Sequence, residues 1–221
     1  IDVAASLYGA MPISHSHDYA SLVLIDQYTF GDSFYYLWRQ WEGERKLLFG
    51  TPFDQRQPGE TVKPNGIGWA HLTEKGLLFI SAIHADGYGL TYLPLGDPAA
   101  VQPVEIHGLV HTGQGELTDV KHRRGMLYTV TYNIDGTTWV YEGSFDEAAL
   151  RFDIRRVLVG EYELAGGVLE SLSYDKQGDR YALSFSTAIS PSQIYIVDHQ
   201  GDVHRQTNER ILGIAPQLLS V

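Results

Sequence analysis

The chain has 221 residues, 43 % of them hydrophobic and 12 % aromatic, with a net charge of −11. That length fills one large domain or two small ones around a sizeable core. Dispersed acidic charge argues against binding nucleic acid, which needs a basic stripe. The lack of cysteine excludes disulfides and thiolate metal sites. No apolar run approaches the roughly 18–20 residues of a membrane helix, so no membrane partner is expected and a cytoplasmic place is.

Fourteen tyrosines against two methionines, with glycine and proline spread along the whole length, favour many short strands. Only Phe145–Leu150 hints at helical spacing. Near the start of the chain stands "HSHD", His15 to Asp18. Two histidines and a carboxylate suggest a metal, but zinc wants three or four ligands, and no second histidine cluster accompanies them. A turn leading into the first strand is the expectation, with no metal. Strands follow at Ser21–Ile25, at Phe34–Arg39 with Tyr36, and at Lys46–Phe49. A strand before them would have to come from residues 1–15, where "SLYGAMPIS" is a poor candidate.

The next strands come in sets. Ile67–Leu72 precedes "GLLFISAIHADGYGLTYLPLGD" from Gly76, and Val101–Ile106 follows it. Glu116–Lys121 precedes "GMLYTVTYNIDGTTWVYEGSFD" from Gly125, and Phe152–Val159 follows. Val168–Tyr174 precedes "DRYALSFSTAISPSQIYIVD" from Asp179, and Val203–Thr207 follows. Tyr92, Tyr141 and Tyr195 fall at matching places, 49 and 54 residues apart. Four strands per unit at a period of about 40–55 residues is the signature of a β-propeller blade. A β-sandwich spaces its strands as closely, but does not need tyrosines matched at such a period. The fold expected is therefore all-β, a β-propeller of three complete four-stranded blades and one partial blade, at approximately 16–50, 66–107, 115–160 and 167–208.

Inner strands line the central channel of a propeller. Glu116 and Glu170, 54 residues apart at the heads of two such strands, are the candidate substrate-channel residues, an acidic collar for a peptide amino end or a cation. Solvated carboxylates at a wet channel mouth are the plainer alternative. His107 and His111 read as loop histidines. Ser186, Thr187, Ser190 and Ser192 read as loop hydroxyls capping strand ends, in a connection with no tight-hairpin signal. The glycines of "GYG" and "AGG" do not sit between strand and helix, so no phosphate cradle is expected.

The phrases "YNIDGTTWVYEGSFDEAALRF", "EYELAGGVLESLSYD", "ALSFSTAISPSQIYIVD" and "RQTNERILGIAPQLLS", in that order, make residues 17–220 resemble the propeller of prolyl oligopeptidase-family serine peptidases of the acylaminoacyl-peptidase-like branch. The resemblance implies that "Thr-Asn-Glu-Arg" closes the propeller and that 209–221 is a linker toward an α/β-hydrolase domain of the same parent protein. It also implies a propeller that caps the active site and limits entry to small peptides. No serine has glycine two residues away on both sides, so the nucleophile elbow Gly-x-Ser-x-Gly is absent. No catalytic residue and no cofactor is expected in this chain. Its expected partners are the hydrolase domain, a peptide substrate and a second copy of itself. Open blades leave bare sheet faces and an unpaired edge: either Ile211–Leu219 or residues 1–13 completes the first blade and closes a four-bladed ring, or, as is expected here, two copies join face to face. A free-standing binding propeller is the competing class, and a small metal-dependent hydrolase built on His15 and His17 a third.

Overall fold

A computed structural model describes residues 9–211, 213–214 and 218–219. Seventeen strands follow one another, with no α-helix among the described residues. The first sheet contains β1 (Met11–His15), β2 (Ser21–Thr29), β3 (Asp32–Arg39) and β4 (Arg45–Phe49), in that order. The second runs β5 (Ala70–Leu72), β6 (Gly76–Ser81), β7 (Gly89–Pro94), β8 (Gln102–Pro103). After β9 (Glu105–His107) come β10 (Gly115–Arg124), β11 (Leu127–Ile134), β12 (Thr137–Asp146) and β13 (Arg151–Val159), and the third sheet has the order β10-β11-β12-β13-β9. The fourth is β14 (Gly167–Asp175), β15 (Arg180–Thr187), β16 (Ser190–Val197), β17 (Val203–Arg205). Among the described residues no helix is long and apolar enough to cross a membrane.

The all-β expectation and its four-stranded sets hold, with corrections. The first set has four strands, not three: β1 forms over residues that read as a poor strand. An edge strand needs little: Ile13 packs on the core, and proline is tolerated where no ladder bond is required of it. The stretch Val101–Ile106 divides between two sheets, Gln102–Pro103 pairing with β7 and Glu105–His107 joining the third sheet. Phe145–Leu150 is not helical. There the Asp146 carboxylate accepts the N–H groups of Ala148 and Ala149 and turns the chain. The connection from Ser186 to Ser192 is a tight hairpin, with Thr187 opposite Ser190 and an irregularity between Phe185 and Thr187. The supposed linker 209–221 and residues 1–13 lie partly outside the described residues.

The chain falls into two compact units. One takes in the chain up to Ile106 with Leu117–Lys121 and Asp146–Phe152; the other has His107–Glu116, His122–Phe145 and the chain from Asp153 on. The first unit is built on alternation. Val23, Ile25, Tyr35 and Leu37 on one face of the first sheet pack with Leu72, Leu77, Phe79 and Leu93 of the second. Each such side chain contributes about 1.5–3 kcal/mol by leaving water. The opposite face of the first sheet buries Leu24, Phe34 and Tyr36. It is not bare: Phe53 stacks on Tyr28, Arg56 forms a bidentate pair with Asp32 at 2.6 Å, and the Arg45 guanidinium lies 4.2 Å above the Tyr36 ring.

In the second unit Val140, Leu158, Val159 and Leu164 pack with Tyr181, Leu183, Phe185, Tyr195 and Val197. Asp135 and Gly136 both take positive φ between Ile134 and Thr137, the two-residue turn whose twist suits a hairpin. Gly160 closes β13 at φ +125°, and a side chain there would meet the Trp139 ring. The matched tyrosines stand where the repeat places them. Tyr36, Tyr92, Tyr141 and Tyr195 lie in the third strands β3, β7, β12 and β16, opposite Leu24, Leu78, Val130 and Leu183.

Candidate functional site

Glu116 and Glu170 both lie in the first strands of their sheets, β10 and β14, and both are exposed. Neither side chain has a hydrogen bond or ion pair among the described residues. Their ranks differ. Gly115 and Gly167 open the two strands over equivalent ends of the next hairpin, against Asn133 and Ser186. Counted from these glycines, Glu116 is second and Glu170 fourth, and Glu170 stands within the irregularity between Leu169 and Ser171.

The His15–Asp18 stretch forms the turn between β1 and β2. Asp18 Oδ1 accepts the Ser16 hydroxyl at 2.5 Å and the Ala20 N–H at 3.1 Å. These bonds, the serine's first, lower the Asp18 pKa. His15 stacks on Tyr19 with ring centres 4.4 Å apart. Among the described residues no group of three or more histidine, aspartate and glutamate side chains is arranged to hold a metal ion.

His111 is set in an aromatic cluster. Its Nδ1 lies 2.7 Å from the Tyr141 hydroxyl, which also accepts the His111 backbone N–H at 3.1 Å. Tyr132 and Trp139 flank the ring at 4.8 and 5.8 Å. Burial lowers the pKa of His111. The pair of bonds is satisfied together when Tyr141 donates to an unprotonated Nδ1.

Gln193 takes a part that a sequence of alternating strands conceals. Fully buried, it donates from Nε2 to the carbonyls of Glu209 and Pro191 at 2.9 and 3.2 Å, and accepts at Oε1 from Thr207 Oγ1 and the Glu209 N–H, both at 2.9 Å. One amide thus clasps the Thr207–Glu209 segment against β16 as the chain leaves the fourth sheet.

The most developed polar constellation lies in the second unit, at the turns β10–β11, β14–β15 and β16–β17. A cleft of about 540 Å³ is lined by Arg124, Arg155 and Arg156, by Glu142 and Asp179, and by Met126 and His199 among others. Glu142, buried, accepts Arg156 Nε at 3.0 Å and Nη2 at 3.1 Å, and the Tyr181 hydroxyl at 2.7 Å. Arg156 Nη1 also donates to the Asp198 and His199 carbonyls at 3.1 and 3.4 Å. Burial and donation to Glu142 push the Tyr181 phenol far up. Asp179 accepts Arg124 Nη2 at 2.6 Å and the Tyr174 hydroxyl at 2.7 Å. The tyrosine bond first, then the arginine, hold its carboxyl below the usual range. Tyr174 itself rises to about 12, chiefly by burial. Nothing in the repeat points to this cleft. Its one trace in the sequence is a pair of arginine doublets, 123–124 and 155–156, in an acidic chain.

No family model matches the chain, and no curated protein does. Solved structures do. The chain is similar to a prolyl endopeptidase over 92 % of its own length and 27 % of that chain, with 14 % identity and a TM-score of 0.67. It is similar to oligopeptidase B from Leishmania major over 96 % of itself and 29 % of that chain (14 % identity, TM-score 0.62). TolB from Acinetobacter baumannii matches over 92 % and 44 %, with 16 % identity and a TM-score of 0.55. At such identities the likeness is one of fold. Together with the succession of three four-stranded sheets and one five-stranded sheet, it is consistent with a propeller fragment. The chain spans less than half the length of each of these three structures, and under a third of the two peptidases.

Proposed function

We propose that this chain is the non-catalytic propeller part of a serine peptidase that hydrolyses short peptides or acyl-peptides, where it gates substrate access and docks an α/β-hydrolase domain of the same parent protein. The observation that carries this reading is the likeness, over more than nine-tenths of the chain, to little more than a quarter of a prolyl endopeptidase and of oligopeptidase B. The missing Gly-x-Ser-x-Gly elbow supports it, since acyl transfer has no start without an activated nucleophile. The Gln193 clasp supports it as well, for it fixes the direction in which the chain leaves its last sheet, as a docked neighbouring domain would require. In this reading Glu116 and Glu170 face the substrate path and meet a peptide's amino end.

The far face of the fourth sheet is assigned to association between copies. There Val168 and Ile194 are 48 % and 47 % exposed, beside the small residues Ser171, Ala182 and Ser184. Such a face suits packing against another sheet.

The test is activity. The isolated chain is expected to leave peptide and acyl-amino-acid ester substrates intact and to resist labelling by a fluorophosphonate. A labelled serine in this chain, with turnover that the label abolishes, would overturn the proposal. A second reading is a free-standing binding propeller, to which the same fold lends itself equally. The reading frame beyond Val221 discriminates: a Gly-x-Ser-x-Gly segment there decides for the peptidase.

A further inference from the structure

The charges of the second unit's cleft do not balance locally. Three arginines, Arg124, Arg155 and Arg156, line it against two carboxylates, Glu142 and Asp179. Glu142 is spent on Arg156 and Tyr181, and Asp179 on Arg124 and Tyr174. Arg155 is exposed and has no hydrogen bond or ion pair among the described residues. The Arg124 side chain, engaged with Asp179 through Nη2, keeps 48 % of its surface open to solvent. The net charge of −11 repels anions from the molecule as a whole, so an anion held here is held by local groups. Guanidinium forks match the planar or tetrahedral oxygens of carboxylates and phosphates, and they keep their charge at any ordinary pH. The Arg156–Glu142–Tyr181 network fixes one wall of the cleft.

From this surplus we infer that the cleft is an anion site for a small ligand bearing a phosphate or carboxylate head. The head lies between Arg155 and Arg124, and an apolar body, where the ligand has one, rests against Met126, which is half exposed at the β10–β11 turn. The inference goes beyond the peptidase reading and does not depend on it.

Calorimetric titration of the intact chain with inorganic phosphate tests it. Binding is expected, weakening as sodium chloride is raised because the partly open pairs are screened. Phenyl phosphate and benzoate, titrated next, separate the two head groups and expose the contribution of Met126. Arg155→Gln is expected to lower the phosphate affinity about tenfold or more, the worth of a charge-assisted hydrogen bond. Since Arg155 supports no other group, this variant should melt like the parent without phosphate. Lys46→Gln removes the same charge from the first unit, outside the cleft, and is expected to leave the affinity unchanged. Absence of phosphate binding by the parent chain overturns the inference, as does equal weakening by Arg155→Gln and Lys46→Gln. Arg155→Lys guards the result: it keeps the charge without the fork, and its affinity should fall between those of the parent and Arg155→Gln.

Discussion

Removing the Tyr181 hydroxyl is the most informative single change in the second unit. Tyr181 is fully buried, and its hydroxyl donates to Glu142 at 2.7 Å. The phenol's pKa is far above its ordinary value, so it is a neutral donor at every pH of interest. Tyr181→Phe leaves the ring in place between Arg123 and Arg156, which lie 5.7 and 6.0 Å from its centre. What is lost is one hydrogen bond to a charged acceptor, about 1.5–3 kcal/mol. Glu142→Gln strips the counter-charge from Arg156. Uncompensated buried charges cost about 3–5 kcal/mol, but the Arg156 side chain keeps 23 % of its surface in water and two carbonyl partners. A loss of about 2–3 kcal/mol is the expectation once that is discounted. Both changes touch one carboxylate, so the double variant should lose about 1 kcal/mol less than the sum of the two single variants. Equilibrium urea unfolding, followed by circular dichroism and tryptophan fluorescence together, reads these losses. At a slope of about 2 kcal/mol per molar, Tyr181→Phe moves the midpoint down by about 1 M. An unmoved midpoint, or losses additive within about 0.5 kcal/mol, would refute the network as a coupled unit.

Two further outcomes follow from the geometry. The folded-state pKa of His111 is depressed, so its contribution to stability is present above the ordinary histidine value of about 6.5 and is lost as pH falls toward the lower folded value. His111→Gln should flatten the stability profile over that window, and an unchanged profile would mean that the ring does not titrate against Tyr141. Sedimentation at micromolar concentration should show self-association that Ile194→Lys abolishes without loss of fold; a parent chain that sediments as a monomer would remove the far face of the fourth sheet from consideration.

The repeat was legible because its signals are local. Alternation, turn glycines and a tyrosine in each third strand are written within single hairpins, and Tyr92, Tyr141 and Tyr195 occupy the strands so assigned. Strand β1 was not, because an edge strand can form with one inward side chain, Ile13, and a proline beside it. The hairpin at 187–190 escaped for another reason. Its turn residues, Ala188 and Ile189, lack the glycine or asparagine that marks Asp135–Gly136. The charged cleft is the opposite case from the repeat, for its arginine–carboxylate pairs and its Tyr181 bond are distant in sequence. Glu142 meets Arg156 across 14 residues and Tyr181 across 39, and Arg124 meets Asp179 across 55. Composition along the chain can announce a surplus of arginine, but only the fold decides which guanidiniums are already spent.

The two candidate carboxylates show how far residue matching carries in a repeat protein. Aligning Glu116 with Glu170 matches like with like, yet the glycines that open β10 and β14 set a register two residues different, in which Val168 answers to Glu116. Partner pairing steps from Leu169 opposite Phe185 to Ser171 opposite Ser184, so Glu170 is the residue in excess. A bulge releases its extra residue from the two-residue alternation and re-aims the side chain. Glu170 therefore owes its direction to that irregularity, whereas Glu116 is exposed beside the buried Leu117 at the start of β10. Any shared role for the two carboxylates rests on what they meet outside the sheet, since equivalent places in two copies of one motif do not supply it.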